Sequence, residues 1–276
     1  MFTLNCRGRL LTLEEPVVMG ILNTTPDSFY EGSRFATEET LLQKAAEMIA
    51  EGATLLDVGG QSTRPGAQLL TAEEEAARVI PALHLLRKHF PEVFLSTDTF
   101  YSEVARRAAD AGADIINDIS GGTADTRMIQ TMVELKMPYV AMHMKGMPQN
   151  MQDLAVYQDV TEEVLRYFIQ RLGIFAEAGL YDVIVDPGFG FAKTAVHNFR
   201  LLKQLENFRV LQRPLLVGLS RKSTIYKTLG TTAAEALNGT TVLHTIALQK
   251  GAHILRVHDV KEACEAIRLL QALNQA

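Results

Sequence analysis

Polar and charged side chains recur along this 276-residue chain directly after short runs of Val, Ile and Leu. In chain order they are Asn23, Asp57, Asp98, Asn117, Asp118, His143, Asp186, Ser220, Arg221, Lys222, Arg256, His258 and Asp259. Carboxylates and amides can pair with the polar edge of a ligand, and the cations can bind an anion such as phosphate. One such ending could simply mark where a strand meets water. Because the pattern repeats after eight runs, it indicates a shared pocket.

Two of these endings are more specific than the others. In DPGFG (186–190) a proline fixes the backbone after the carboxylate, and two glycines allow a turn or a close approach to a ligand. Arg256 and His258 alternate along the last run, so both side chains face one side of a strand and suggest an anion site. For Asp98 a turn role is as good a reading as a functional one. A lone histidine such as His143 is more often packed than catalytic, and we leave it out of the chemistry.

Two loops rich in Gly, Pro, Ser and Thr could close over a substrate. They are NTTPDSFYEGSR (23–34) and GGQSTRPG (59–66). Turn chemistry explains their glycines and prolines but leaves Arg64 unexplained. The sequence has no His or Cys cluster with metal-ligand spacing. Any metal would therefore be bound by oxygen atoms, partly from a substrate phosphate, which favours magnesium.

The apolar runs and the segments between them predict how these side chains are positioned. The runs are 17–23, 54–60, 93–99, 115–120, 139–144, 183–190, 215–220 and 254–259, and helical segments are 37–51, 101–111, 124–136, 159–178, 196–208, 232–250 and 260–273. A capping-box pattern at Thr71–Glu74 opens one more helix. Strands buried on both faces and alternating with helices predict an α/β fold, a (β/α)8 TIM barrel of one domain (1–276), with a doubly wound sheet as the alternative. Residues 1–15 are predicted to form a hairpin that covers the barrel bottom.

Composition limits the possible partners and the compartment. A net charge of −5 without a basic run argues against nucleic-acid binding. Two distant cysteines, Cys6 and Cys264, are typical of a reduced cytoplasm and indicate neither a disulfide framework nor a cysteine metal site. The N-terminus lacks a signal-peptide pattern, and no apolar stretch approaches the roughly 20 residues that span a bilayer. We therefore expect a cytoplasmic protein with no membrane partner.

Seven motifs, taken together, resemble the dihydropteroate synthases of the folate pathway. They are GILNTTPDSF, GGQSTRPGA, STDT, INDISGG, DPGFGF, GLSRKS and RVHDV, in this order and at barrel-strand spacing from about Val17 to beyond Val260. The resemblance implies an enzyme that joins 6-hydroxymethyl-7,8-dihydropterin diphosphate to p-aminobenzoate and releases pyrophosphate. It also implies magnesium, a homodimer packed through the last helices, and a target of sulfonamides.

The resemblance assigns roles to residues motif by motif. The implied pterin contacts are Asp98, Asn117, Met142, Asp186, Phe191, Lys222 and Arg256. The implied diphosphate contacts are Thr63, Arg64, Arg256 and His258. The implied aminobenzoate contacts are Phe29, Thr63, Pro65 and Ser223, and Asn23 is the implied magnesium ligand. Asp98, Lys222, Arg64, Arg256 and His258 are implied to take part in catalysis, whereas Arg221 is expected to be structural and paired with an acid.

One residue departs from the family pattern, because Gln61 stands where a glutamate usually precedes Ser-Thr-Arg-Pro. Two other functions stay open. A pterin-binding module that presents methyltetrahydrofolate to a corrinoid partner would share the barrel. It would not need a diphosphate site, so Arg64, the SRKS motif and the Arg256/His258 pair argue against it. A catalytically silent relative should have lost loop or strand-end residues, and only Gln61 deviates.

Overall fold

The computed structural model describes residues 1–24, 34–61 and 69–276, and its strands form a hairpin followed by a barrel. The hairpin strands are β1 (Phe2–Cys6) and β2 (Arg9–Leu13), and the barrel strands are β3 (Val17–Asn23), β4 (Leu55–Gly59), β5 (Phe94–Asp98), β6 (Ile115–Asp118), β7 (Tyr139–Met142), β8 (Val183–Asp186), β9 (Leu216–Val217) and β10 (Ile254–Val257). The barrel strands are parallel in the order β8-β7-β6-β5-β4-β3-β10-β9. A parallel bridge between Val185 and Leu215 joins the two ends of this sheet. The predicted barrel is confirmed, and the open-sheet alternative is wrong.

The helices surround the strands, and some of their bounds differ from the prediction. They are α1 (Arg34–Glu51), α2 (Ala72–His89), α3 (Ser102–Asp110), α4 (Met128–Leu135), α5 (Val160–Ala178), α6 (Ala195–Lys203), α7 (Ser223–Leu229), α8 (Leu237–Gln249) and α9 (Val260–Gln275). The Thr71–Glu74 capping box is present at the start of α2. Among the helices in the described ranges, none has the length and apolar character that crossing a membrane requires.

Three helix predictions were too long, at 124–136, 196–208 and 232–250, and local interactions explain the last two. The segment predicted as 196–208 leaves the α-helix after Lys203 and continues as a 3-10 turn, Leu205–Leu211. That turn buries Leu205, Phe208 and Leu211, whose spacing of three residues places them on one side of a 3-10 helix. The segment predicted as 232–250 becomes helical only at Leu237. Before it, the Glu235 carboxylate accepts hydrogen bonds from the hydroxyls of two threonines and from a backbone N–H, and such bonds compete with helix formation.

The bottom of the barrel is an apolar layer that the hairpin closes. Inward-facing residues near the amino ends of the barrel strands pack against the hairpin. They are Met19, Leu55, Ile115, Val140, Ile184, Leu216 and Ile254, and their hairpin partners are Leu4, Cys6, Leu11 and Leu13. This confirms the hairpin prediction. Because apolar side chains fill this end, polar groups inside the barrel face the opposite mouth, at the carboxyl ends of the strands.

Candidate active site

A partly buried arginine joins two carboxylates inside the barrel. Arg256 Nε donates a hydrogen bond to Asp57 Oδ2 (2.6 Å), and Arg256 Nη2 donates to Asp98 Oδ2 (2.9 Å). Asn117 Nδ2 also donates to Asp57 Oδ2, at 2.9 Å. Asp57 is completely buried, so its charge needs this compensation. The four side chains therefore form one fixed polar cluster.

Strand register explains why residues distant in sequence meet here. Asn23 pairs in register with Gly59, Gly59 with Asp98, and Asp98 with Asn117. Gly59 has no side chain in this row. A Cβ built on it would lie 3.7 Å from Asn23 Oδ1 and 3.8 Å from Asp98 Oδ2, so these two oxygens lie on either side of the glycine backbone. An amide oxygen and a carboxylate oxygen thus flank bare backbone at the mouth.

This donor set fits a hard cation that takes most of its ligands from elsewhere. Oxygen ligands from an amide and a carboxylate suit magnesium, which usually keeps several waters and substrate phosphate oxygens. In the described ranges, no group of three His, Cys, Asp or Glu side chains could hold a metal ion. Because Asp98 Oδ2 already accepts from Arg256, Asn23 Oδ1 is the oxygen of this pair that would hold such an ion beside a substrate phosphate.

Lys222 and Arg221 are adjacent cations with different surroundings. Lys222 Nζ donates to the Phe189 carbonyl and lies 4.8 Å from the centre of the Phe191 ring, inside the mouth. Arg221 has a left-handed backbone (φ 52°), and its Nη2 donates to Asp259 Oδ1 at 2.7 Å. The expected pairing of Arg221 with an acid is confirmed.

Burial moves the pKa values of the facing groups towards neutrality. Desolvation raises the pKa of Asp98 to about 7, against the opposing effect of Arg256. Desolvation lowers the pKa of Lys222 to about 8, against the opposing effect of Asp186. The pKa of Asp186 is raised, again mainly by burial. Modest changes in pH can therefore alter the charge of this site.

The loop after β8 shapes one wall of the mouth. Gly188 N donates to Asp186 Oδ1 at 2.8 Å and so orients the carboxylate. Phe191 packs with Met142, Phe100 and Ile119 in a small apolar cluster beside it. The arrangement presents a carboxylate next to an apolar surface, as a flat heterocycle with a polar edge requires.

Gly188→Ala should damage this wall. The residue has φ +72°, and a Cβ there would lie 2.0 Å from the His143 carbonyl oxygen. We expect the free energy of unfolding to fall by about 1–3 kcal/mol from backbone strain alone, as measured by urea denaturation. The control is Gly173→Ala in α5, where a Cβ meets nothing within 4 Å and the helix should gain about 0.5–1 kcal/mol. An equally stable Gly188→Ala protein would contradict this expectation.

His258 and Ser223 lie at the same end of the barrel. The backbone N–H of His258 donates to Ser220 Oγ at 3.2 Å, and its Nδ1 is 3.1 Å from the same oxygen. Desolvation at the mouth and the charge of Arg256 lower the pKa of His258 to about 4. At pH 7 His258 is therefore a neutral hydrogen-bonding group. Ser223 is the first residue of α7, directly after Lys222.

Four of the predicted site residues, Phe29, Thr63, Arg64 and Pro65, lie outside the described residues. Nearby, Gln61 is buried, and its Oε1 accepts a hydrogen bond from Leu70 N at 3.1 Å. Gln61 therefore ties the end of β4 to the residue that precedes the α2 capping box.

Sequence reasoning missed two residues around the site. Asp57 is one of the polar strand endings, but the predicted pterin, diphosphate, aminobenzoate and magnesium contacts do not include it. Its signal was a carboxylate inside the otherwise apolar run TLLDVGG. Lys193 gave no signal, since a lysine in a loop is ordinarily exposed. It is instead only 3% exposed, and burial lowers its pKa to about 7.

Comparisons with known proteins agree with this geometry. A family model described as pterin binding enzyme matches residues 19–258. The chain is 45% identical over 272 residues to the dihydropteroate synthase of Escherichia coli K12, covering 98% of this chain and 96% of the relative. The chain belongs to the dihydropteroate synthase family.

Solved structures of the dihydropteroate synthase family share the whole fold. The Xanthomonas albilineans dihydropteroate synthase with 4-aminobenzoic acid has a TM-score of 0.93 and 40% identity, over 99% of this chain and 98% of that one. The same organism's enzyme in complex with 7,8-dihydropteroate has a TM-score of 0.90 and 37% identity, with 100% of both chains covered. The family resemblance carried by the seven motifs is thus confirmed in both sequence and fold.

Proposed function

We propose that the protein is a dihydropteroate synthase: it joins 6-hydroxymethyl-7,8-dihydropterin diphosphate to p-aminobenzoate and releases pyrophosphate. The observation that carries this proposal is the convergence of Asp98, Asp186 and Lys222 at one barrel mouth, in a chain of this family. Two acids and a cation beside an apolar wall match a flat, polar-edged ring that becomes positively charged as it reacts.

The pterin would lie against the wall formed by Met142 and Phe191. Asp186 can accept hydrogen bonds from the pterin N3–H and the 2-amino group, because a carboxylate offers two acceptor oxygens to two parallel donors. Lys222 would donate to the pterin O4 and N5. Asn117, held by Asp57, would contact the amino-pyrimidine edge.

The reaction would be a dissociative substitution. The methylene C–O bond breaks, its electron pair leaves with the diphosphate, and positive charge spreads from the methylene carbon into the ring. The Asp98 carboxylate stabilises that charge, and its position is fixed by Arg256. The aniline nitrogen then forms the new C–N bond and loses a proton. An aniline is already nucleophilic at neutral pH, so positioning and electrostatics supply most of the catalysis.

The diphosphate would bind to cationic and donor groups at the mouth. Arg256 uses Nε and Nη2 for the two aspartates, and its Nη1 makes no hydrogen bond to another described residue. That group and His258 would face the diphosphate, together with Thr63 and Arg64. Magnesium held by Asn23 and diphosphate oxygens would neutralise charge on the leaving group.

The second substrate would bind between the two loops and α7. Ser223 would donate to the aminobenzoate carboxylate, while Phe29, Pro65 and Thr63 would contact its ring and amine. The same subsite would admit sulfonamides as competitors of p-aminobenzoate.

The chain would act as a cytoplasmic homodimer. Exposed apolar side chains on the last two helices, Val242, Leu269 and Leu273, support an interface there. Both cysteines are free and buried, as suits a reduced compartment. Sedimentation equilibrium tests this state, and a monomer at micromolar concentration would contradict it.

Pyrophosphate release tests the function directly. The protein is incubated with the pterin diphosphate and magnesium, with and without p-aminobenzoate. We expect release that depends on p-aminobenzoate, with dihydropteroate formed in equal amount. Pterin binding without release would instead favour a pterin-binding module or a silent relative.

The pH dependence of kcat/KM for the pterin diphosphate should be bell-shaped. Asp98 must be ionised to stabilise positive charge, so activity rises with pH through about 7. Lys222 must be protonated to donate, so activity falls above about 8. Asp98→Asn should lose the acidic limb, and Lys222→Arg should move the alkaline limb upward, both at a reduced maximum. Substrate ionisation is common to wild type and both variants. If the acidic and alkaline limbs are unchanged in the variants, the groups that titrate therefore belong to the substrates.

A further inference from the structure

Lys193 is a buried lysine that the proposed reaction does not use. Its Nζ lies 3.0 Å from His143 Nδ1 and donates to the carbonyl oxygens of Gly188 (3.0 Å) and Phe191 (3.1 Å). It also approaches the His143 carbonyl oxygen at 3.4 Å. A buried amine is tolerated only where such acceptors replace water. Here four acceptor atoms surround the Lys193 Nζ.

The acceptors of Lys193 come from two different loops. His143 directly follows β7, whereas Gly188 and Phe191 belong to the loop after β8. The two loops are in close contact, since a Cβ on Gly188 would lie 2.0 Å from the His143 carbonyl oxygen. Three carbonyl oxygens thus converge, and their mutual repulsion is relieved only by a donor among them. Lys193 therefore links the two loops that form this wall.

The loop after β8 carries groups that would face the pterin. Gly188, held through its carbonyl, donates its N–H to Asp186 Oδ1. Phe191, held in the same way, presents its ring beside Met142 and Lys222. Lys193 itself lies behind this wall and is 3% exposed, so it does not contact the substrate. Any effect on substrate must pass through Asp186 and Phe191.

His143 also acquires a role from this contact. It directly follows Met142, whose side chain faces the mouth, and its ring packs edge-on against Tyr167 with centroids 4.9 Å apart. Burial and the nearby Lys193 charge lower its pKa well below the ordinary value. His143 is therefore neutral, and in the tautomer that carries its proton on Nε2 its Nδ1 can accept a hydrogen bond from Lys193.

We propose that Lys193 and its acceptor His143 are positioning residues for the pterin: they fix the loop after β8 so that Asp186 and Phe191 stand at the distance the ring requires. This rests on the proposed function. It predicts a loss confined to pterin binding, because among the described residues the acceptors of Lys193 belong to the segments after β7 and β8 and do not include Ser223.

The test is Lys193→Met, which keeps the length of the side chain and removes its donors. The matched control is Lys203→Met, at an exposed lysine of α6. We expect the KM for the pterin diphosphate and the dissociation constant of unreactive 6-hydroxymethylpterin, measured by calorimetry, to rise about 10- to 100-fold, the value of charged hydrogen bonds. The KM for p-aminobenzoate and the values for Lys203→Met should not change. A rise in both KM values alike, or no rise in the pterin constants, would overturn the proposal.

Variants at His143 test the same contact from the other side. His143→Asn keeps an acceptor and should bind pterin nearly normally, whereas His143→Phe should weaken it. Combined with Lys193→Met, His143→Phe should add little, since both remove one interaction. If Lys193→Met does not fold, the two His143 variants decide: equal pterin constants in both would overturn the proposal. The calorimetric constants do not depend on turnover, so a wild-type protein without pyrophosphate release would contradict the proposed reaction and leave this test intact.

Discussion

Lys222→Ala should lower kcat/KM for the pterin diphosphate by about 10²- to 10³-fold, the usual cost of removing a charged donor that acts on the reacting group. The lysine lies partly buried at the mouth beside Asp186, where a hydrogen bond to the pterin would be shielded from water. The loss should appear in pterin binding as well as in kcat, because O4 and N5 belong to the ring in both the ground state and the transition state.

Two controls separate this effect from damage to α7. Lys227→Ala removes an exposed lysine from the same helix and should leave the kinetics unchanged. Thermal unfolding of Lys222→Ala should show that the variant is folded at the assay temperature, although the change removes the cation that opposes the raised pKa of buried Asp186. Near-normal kcat/KM in the folded Lys222→Ala protein would exclude Lys222 from the site.

The fold could be predicted from sequence because its signal is local. Strands covered on both faces give near-continuous apolar runs, and each run ends where its strand meets the mouth. The strand-end positions of Asp98, Asp186 and Lys222 therefore marked them as candidates, and the family resemblance assigned their roles. The predicted hairpin is also confirmed. Its alternating apolar residues cover the amino-terminal end of the barrel, and they are Leu4, Cys6, Leu11 and Leu13.

The structural features that the sequence did not predict depend on contacts between distant segments or on local hydrogen bonds. Arg256 meets Asp57 because β10 lies beside β3, which pairs with β4, and no local pattern encodes that order. Lys193 is buried only because two loops bring their carbonyls to it. The α8 start was misplaced since Glu235 accepts from Thr231 and Thr232, a competition that helix composition does not reveal.

Arg256→Met should have the largest effect on stability, because it leaves two buried carboxylates without their shared cation. Breaking a buried ion pair from one side typically costs about 3–5 kcal/mol in the free energy of unfolding. Arg256 donates to both Asp57 and Asp98, and its side chain is 21% exposed. Turnover should be lost as well, since the same change frees Asp98 and removes a diphosphate contact.

The stability loss should depend on pH, and the sign follows from Asp98. Its pKa in the folded protein, about 7, lies above the ordinary value, so its contribution to stability is greatest in acid and falls as pH rises through about 7. Arg256 opposes that rise, and without it the pKa of Asp98 becomes higher still. At pH 5.5 Asp98 is mostly protonated with or without the arginine, whereas at pH 8 only the wild type holds it mostly ionised. Urea denaturation should therefore show a larger difference between wild type and Arg256→Met at pH 8 than at pH 5.5.

Arg256→Lys separates charge from geometry in this cluster. An ammonium keeps the positive charge but cannot donate to two carboxylates through a planar fork. We expect it to recover part of the stability lost at pH 8 and little of the turnover. A loss in Arg256→Met that is equal at both pH values would show that the arginine stabilises the barrel through Asp57 or through packing and not through the charge of Asp98. Asp98 would then owe its position to the strand register of β5 with β4 and β6 alone.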